Sequence, residues 1–141
     1  MMARIENLVL ALWVGALFGV GYLAVPVLFA SLDDRQLAGE LAGQMFRLVG
    51  YLGLGAGAVL LASLFWQGAR WRLWVVVAML ALVVVSVFVL QPMMVELKQH
   101  GLLPESEAAR DFARLHGVSS LLYLLTSVLG AGLVLAGLRP R

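Results

Sequence analysis

The chain has 141 residues, of which 62% are hydrophobic and 13% charged. A soluble domain carries about 25% charged residues, so this composition excludes an ordinary soluble domain and points to an integral membrane protein. Ten Lys and Arg against eight Asp and Glu leave a net charge of only +2, too little for a nucleic-acid surface, and the absence of cysteine excludes disulfides, thiolate metal sites, iron–sulfur ligation and a Cys nucleophile.

The first span is predicted over residues 7–32, after a short basic start. Its apolar run is longer than the core of a signal peptide, so it reads as a retained span. Gly15 and Gly19 form a GxxxG face that lets another helix approach closely. Pro26 is expected to kink or end the helix near the far membrane surface. Trp13 lies too deep to anchor at an interface and is expected inside the bundle.

Asp33 with Gln36 suggests a capping box at the next helix. Residues 34–47 are amphipathic, with Leu37, Leu41, Met45 and Leu48 at helical spacing. They either lie along the interface or extend the second span, predicted over 46–66. Gly50, Gly53, Gly55 and Gly57 crowd that span. Each would cost about 1 kcal/mol in a soluble helix, but in a membrane they permit close backbone packing. Gly53 and Gly57 are therefore expected to meet Gly15 and Gly19.

A short basic turn follows, bracketed by Trp66, Trp71 and Trp74 as an interfacial belt. The third span is predicted over 73–90. Gln91-Pro92 interrupts the pattern, and 93–99 continues as helix outside the membrane core. Pro104 suits the first turn of the last helix, whose apolar span is predicted over 115–138. The predicted fold is all-α, a single domain of four membrane helices running up-down-up-down. Both termini and the 67–72 turn share one side. Lys and Arg tie at five on each side, and the purely basic turn favours a cytoplasmic location for the termini.

In the last span His116, Ser119, Ser120, Tyr123 and Ser127 recur at helical spacing. Such a polar stripe is costly against lipid and is expected to face other helices. The topology gathers Tyr22, Arg47, Tyr51, Gln91, His116, Ser119, Ser120 and Tyr123 in the half opposite the termini. That set is the candidate ligand site; the other half looks nearly devoid of polar groups. The bland alternative is that the serines and Thr126 are interhelical hydrogen-bond glue. No G-x-S-x-G elbow supports hydrolysis, no phosphate loop is present, and two histidines are too few for a zinc site. A soft copper site could draw on His116 with Met93 or Met94.

FARLHGVSSL at residues 112–121, followed by GLVLAGL at 132–138, resembles the C-terminal signature of the transmembrane protein 205-like family, which includes a bacterial domain of unknown function. LWVG at 12–15, PVLFASL at 26–32, the Met45-Phe46 pair and Pro92 also fit. The resemblance implies a four-helix membrane protein without a settled chemistry; the bacterial inner membrane is the expected location. Its motif positions here are Trp13, Gly15, Pro26, Phe29, Phe46, Pro92, Phe112, His116, Gly117 and Ser119. Gln91 stands where vertebrate relatives carry an acid. The first span also resembles copper-resistance D domains and haem-binding membrane protoporphyrinogen oxidases. Those carry a histidine near the start of helix one, where this chain has Glu6 and Asn7.

Three readings follow. The first is a small-molecule or ion binding or transport module with no cofactor. The second is a haem or copper protein. The third is a non-catalytic accessory subunit of a larger membrane complex. Catalytic residues are not identified, a homodimer is compatible with the glycine face, and the one assured partner is the lipid bilayer.

Overall fold

The computed structural model describes residues 2–68, 70–99, 101–103 and 105–137. Among them, four helices are long and apolar enough to cross a membrane: Arg4–Ser31, Arg35–Gln67, Arg70–Gln99 and Glu107–Ala136. Each packs against the next, and helix one closes on helix four, giving a ring of four antiparallel neighbours. The integral four-helix architecture is as the apolar runs imply.

Helix two is a single helix of 33 residues, about 50 Å long at 1.5 Å per residue. The amphipathic stretch 34–47 therefore extends the span out of a hydrocarbon layer about 30 Å thick. Its N-cap is Asp34, not Asp33: the Asp34 carboxylate accepts from the N–H of Gln36 at 2.9 Å and of Leu37 at 3.1 Å. Helix four is capped by Ser106, whose hydroxyl accepts from Ala109 N–H. The expected first-turn role of Pro104 falls outside the described residues.

Neither Pro26 nor Pro92 ends its helix. In helix one the α-helix of Met2–Phe18 widens into a π-helical turn over Gly19–Ala24, then resumes over Val25–Ser31. In helix three the π-turn spans Ser86–Leu90 and the α-helix resumes at Gln91. A proline lacks an N–H, and its ring clashes with the carbonyl four residues back. Those carbonyls belong to Tyr22 and Phe88, and both lie inside the widened turns. The extra residue accommodates the ring, so the helix continues. The two π-turns occupy corresponding places, each ending two residues before its proline.

The core is built by bulky side chains set over glycines. Trp13 is fully buried, with its indole over Gly53. Leu80 covers Gly57, Val87 covers Gly50, and Val14 with Met79 covers Gly130. Leu10, Leu17, Leu60, Leu64, Val76 and Leu133 fill the remainder. The expected meeting of two glycine faces is not what forms. Gly53 and Gly57 are packed, but nothing lies within 4 Å of a Cβ built at Gly15 or Gly19. The large ring of Trp13 takes the helix one–two interface, and that turns Gly15 outward.

Candidate functional site

Among the described residues, Tyr123 makes the one hydroxyl contact from the helix-four stripe to another helix. Its hydroxyl donates to the Leu17 carbonyl at 2.6 Å, and its ring lies on Gly21 within the first π-turn. Phe46 meets the same ring edge-on at 5.0 Å between centroids, and Tyr22 stands 6.0 Å away. The aromatic cluster ties helices one, two and four in the half opposite the termini.

The remaining hydroxyls bond to their own helix. Ser127 donates to the Tyr123 carbonyl, Thr126 to Leu122 and Ser120 to His116. They satisfy themselves by back-bonding to the fourth carbonyl before them, so the expected interhelical glue is absent at these three. Burial along the stripe rises with depth. His116 is exposed and stacked on Phe112, Ser119 and Tyr123 are half-buried, and Ser127 is buried. The inward orientation expected for His116 and Ser120 does not hold, because the bundle is open where helix four begins. Arg47, Tyr51 and Tyr22 are also exposed, and Tyr51 rests against Phe88.

Gln91 is half-buried beside the second π-turn. Its Oε1 is buried without a hydrogen-bond partner among the described residues. Seven residues on, half-buried Lys98 reaches across to the Gly39 carbonyl at 3.5 Å and lies over the Phe112 ring at 5.4 Å. The sequence did not mark Lys98, since a lone lysine near a helix end usually snorkels to the surface. Outside this mouth, between the end of helix three and the start of helix four, runs a groove of about 420 Å³. Met93, Leu97 and Leu115 form its apolar walls, and Glu96, Asp111 and Arg114 its charged lining. Arg114 pairs with Asp111 at 3.5 Å.

The potential soft donors are spread over this region. Met93 is exposed in the groove, Met94 is half-buried and His116 is exposed. Among the described residues, no three of His, Cys, Asp and Glu gather as a metal-binding group.

The half nearer the termini holds a polar cluster that the apolar composition concealed. Glu6 is only 3% exposed. It accepts from the Ser63 hydroxyl and from Gln67 Nε2 at 3.0 Å, which ties helix one to helix two. Arg72 is also buried, and its Nε donates to the Gly137 carbonyl at 2.8 Å, tying helix three to the end of helix four. The Glu6, Ser63 and Gln67 spacing carries a signal in retrospect: Ser63 and Gln67 stand four apart on one helix face. Nothing in the sequence joins them to Glu6.

A family model described as a domain of unknown function, DUF4149, matches residues 8–102. No curated protein and no solved structure matches the chain.

Proposed function

We propose that this chain, which belongs to the DUF4149 family of membrane domains of unknown function, is a small-molecule or ion binding or transport module whose polar site lies between the helices, on the side opposite the termini. One observation carries the reading: the buried Oε1 of Gln91 has no hydrogen-bond partner among the described residues. A buried amide oxygen left without a donor costs about 1–3 kcal/mol. Such an atom calls for a water, an ion or a ligand donor. It sits beside one of two π-turns, which occur disproportionately at functional sites. Lys98 and Tyr123 supply further polar groups in the same half.

The reading extends to an inner-membrane protein with cytoplasmic termini. Kinship with transmembrane protein 205-like proteins belongs to it as well. That kinship rests on the helix-four signature at 112–121, which lies beyond the matched stretch. A second reading, an accessory subunit or homodimer, is favoured by Gly15 and Gly19, which have open space above them.

Native mass spectrometry of the protein released gently from detergent tests the first reading. A stoichiometric non-lipid mass, lost in a folded Gln91→Leu variant, supports it. Wild-type protein carrying lipid alone sinks it. A haem or copper mass would replace it by a redox role, and a stoichiometric partner protein by the accessory role.

A further inference from the structure

The groove between helices three and four has a composition that the reading above does not use. Helix three contributes Met93, Glu96 and Leu97; helix four contributes Asp111, Arg114 and Leu115. Both sets follow the spacing i, i+3, i+4, so each presents one face to the other. The apolar stretch of helix three runs from Leu73 to Leu90, and that of helix four from Leu115 to Ala136 among the described residues. Each is about 20 residues, or about 30 Å, which matches the hydrocarbon thickness. Met93 and Leu115 therefore stand at the edge of the hydrocarbon. Glu96 and Asp111 stand about one turn beyond, at headgroup depth, and Arg114, next to Leu115 in the chain, reaches that depth with its long side chain.

The charges at that depth are two carboxylates and one guanidinium. Arg114 meets Asp111 through Nη1 alone, at 3.5 Å, which leaves the rest of its fork for an anion, and Glu96 has no ion pair among the described residues. An occupant that complements this lining has apolar chains, one cationic group for Glu96 and one anionic group for Arg114. We propose that the groove is a binding site for a zwitterionic phospholipid with a primary-ammonium headgroup, the phosphatidylethanolamine class. The acyl chains leave along Met93 and Leu115, and Leu97 lies beside the headgroup. The ammonium donates to Glu96, and the phosphate accepts from Arg114. A primary ammonium carries three N–H donors for carboxylates. A choline headgroup carries none and is recognised by aromatic cages, and no aromatic residue among the described ones lines the groove. A purely anionic headgroup would meet two carboxylates for one arginine.

The site is distinct from Gln91, and its test reads a different mass. Detergent-purified protein is titrated with phosphatidylethanolamine, phosphatidylcholine and phosphatidylglycerol of identical acyl chains, and retained lipid is counted by native mass spectrometry. The expected result is a preference of about tenfold for ethanolamine over choline lipid. That preference falls to about one in Glu96→Gln, while Arg114→Gln weakens both lipids alike. Glu96 is exposed, so Glu96→Gln is expected to fold, and circular dichroism checks that it does. Equal retention of ethanolamine and choline lipids by the unaltered protein overturns the proposal. So does a preference that survives in Glu96→Gln. Stronger retention of phosphatidylglycerol than of either overturns it in favour of a generic anionic-lipid surface.

Discussion

The contact between Trp13 and Gly53 offers the sharpest test of how the bundle is held. A Cβ built on Gly53 falls 2.6 Å from Trp13 Nε1, 3.0 Å from Cε2 and 3.3 Å from Cζ2. The ring is rigid and fully buried, so it cannot yield as the tip of a flexible chain would. Gly53→Ala must then separate helices one and two or push the indole off its rotamer, and overpacking of that kind costs about 1–3 kcal/mol. Alanine also gains up to about 1 kcal/mol of helix propensity over glycine, which would mask part of the cost. Gly55 supplies the control. It lies in the same helix with nothing within 4 Å of a built Cβ, so Gly55→Ala takes the propensity gain alone. The difference between the two variants, read from unfolding midpoints in mixed micelles, is expected to be about 1–3 kcal/mol against Gly53→Ala. Trp13→Phe removes the clashing Nε1, so it should cost less in the Gly53→Ala background than in the parent. A double-mutant cycle measures that coupling. Equal stability of Gly53→Ala and Gly55→Ala would refute the packing argument.

Further outcomes follow from the same contacts. Tyr123→Phe loses the donation to Leu17 and should cost about 0.6 kcal/mol, the average for hydrogen bonds between membrane helices, and at most about 1.7 kcal/mol. Tyr22→Phe, at an exposed ring, should cost close to nothing in the same unfolding assay. Glu6→Ala strips the acceptor from both Ser63 and Gln67 and should cost about 1–3 kcal/mol, more than Ser63→Ala, which removes one donor; the reverse order of midpoints would count against the cluster as a helix one–two tie. Hydrogen exchange should show faster amides at Ser86–Leu90 than at 76–83 of the same helix, because a π-turn weakens the ladder locally. Uniform protection along helix three would contradict this.

What the sequence could reveal depended on whether a property is local. Four apolar runs separated by charges are a local property, and they specify four spans because a spanning backbone must satisfy itself within the helix. Trp13 was legible as an interior residue from its depth alone. The fate of Gly15 was not, since a GxxxG face is equally suited to a neighbour in the bundle or to a second protein. The stripe from His116 to Ser127 has one azimuth, yet burial along it changes from exposed to buried. Periodicity reports the azimuth and is blind to how far neighbouring helices extend at each depth. Pro26 and Pro92 marked the right places, and residues 93–99 do continue as helix; sequence spacing could not say that each proline is accommodated by an added residue in the preceding turn and not by a break. The Glu6 cluster needed residues 57 and 61 positions apart to meet, which no single-sequence pattern encodes.

The two ends of the bundle differ in a way that bears on where a ligand could enter. Toward the termini, Trp13 on Gly53, Leu80 on Gly57 and Met79 on Gly130 fill the interior. Glu6 with Ser63 and Gln67 ties helix one to helix two there, and Arg72 with Gly137 ties helix three to helix four. Toward the other end, two of the four helices carry π-turns. A π-turn adds one residue, which rotates every side chain beyond it by about 100° relative to an uninterrupted α-helix. Met93, Glu96 and Leu97 all lie beyond the π-turn of helix three, so the groove they share with helix four exists only in the register that the turn imposes. Gln91 is the first residue after that turn, and its buried carbonyl is placed by the same rotation. The polar mouth and the groove between helices three and four thus have a common structural cause in Ser86–Leu90, while the clamped end holds the helices together. A bundle built this way can admit a ligand at one end without loosening the packing at the other.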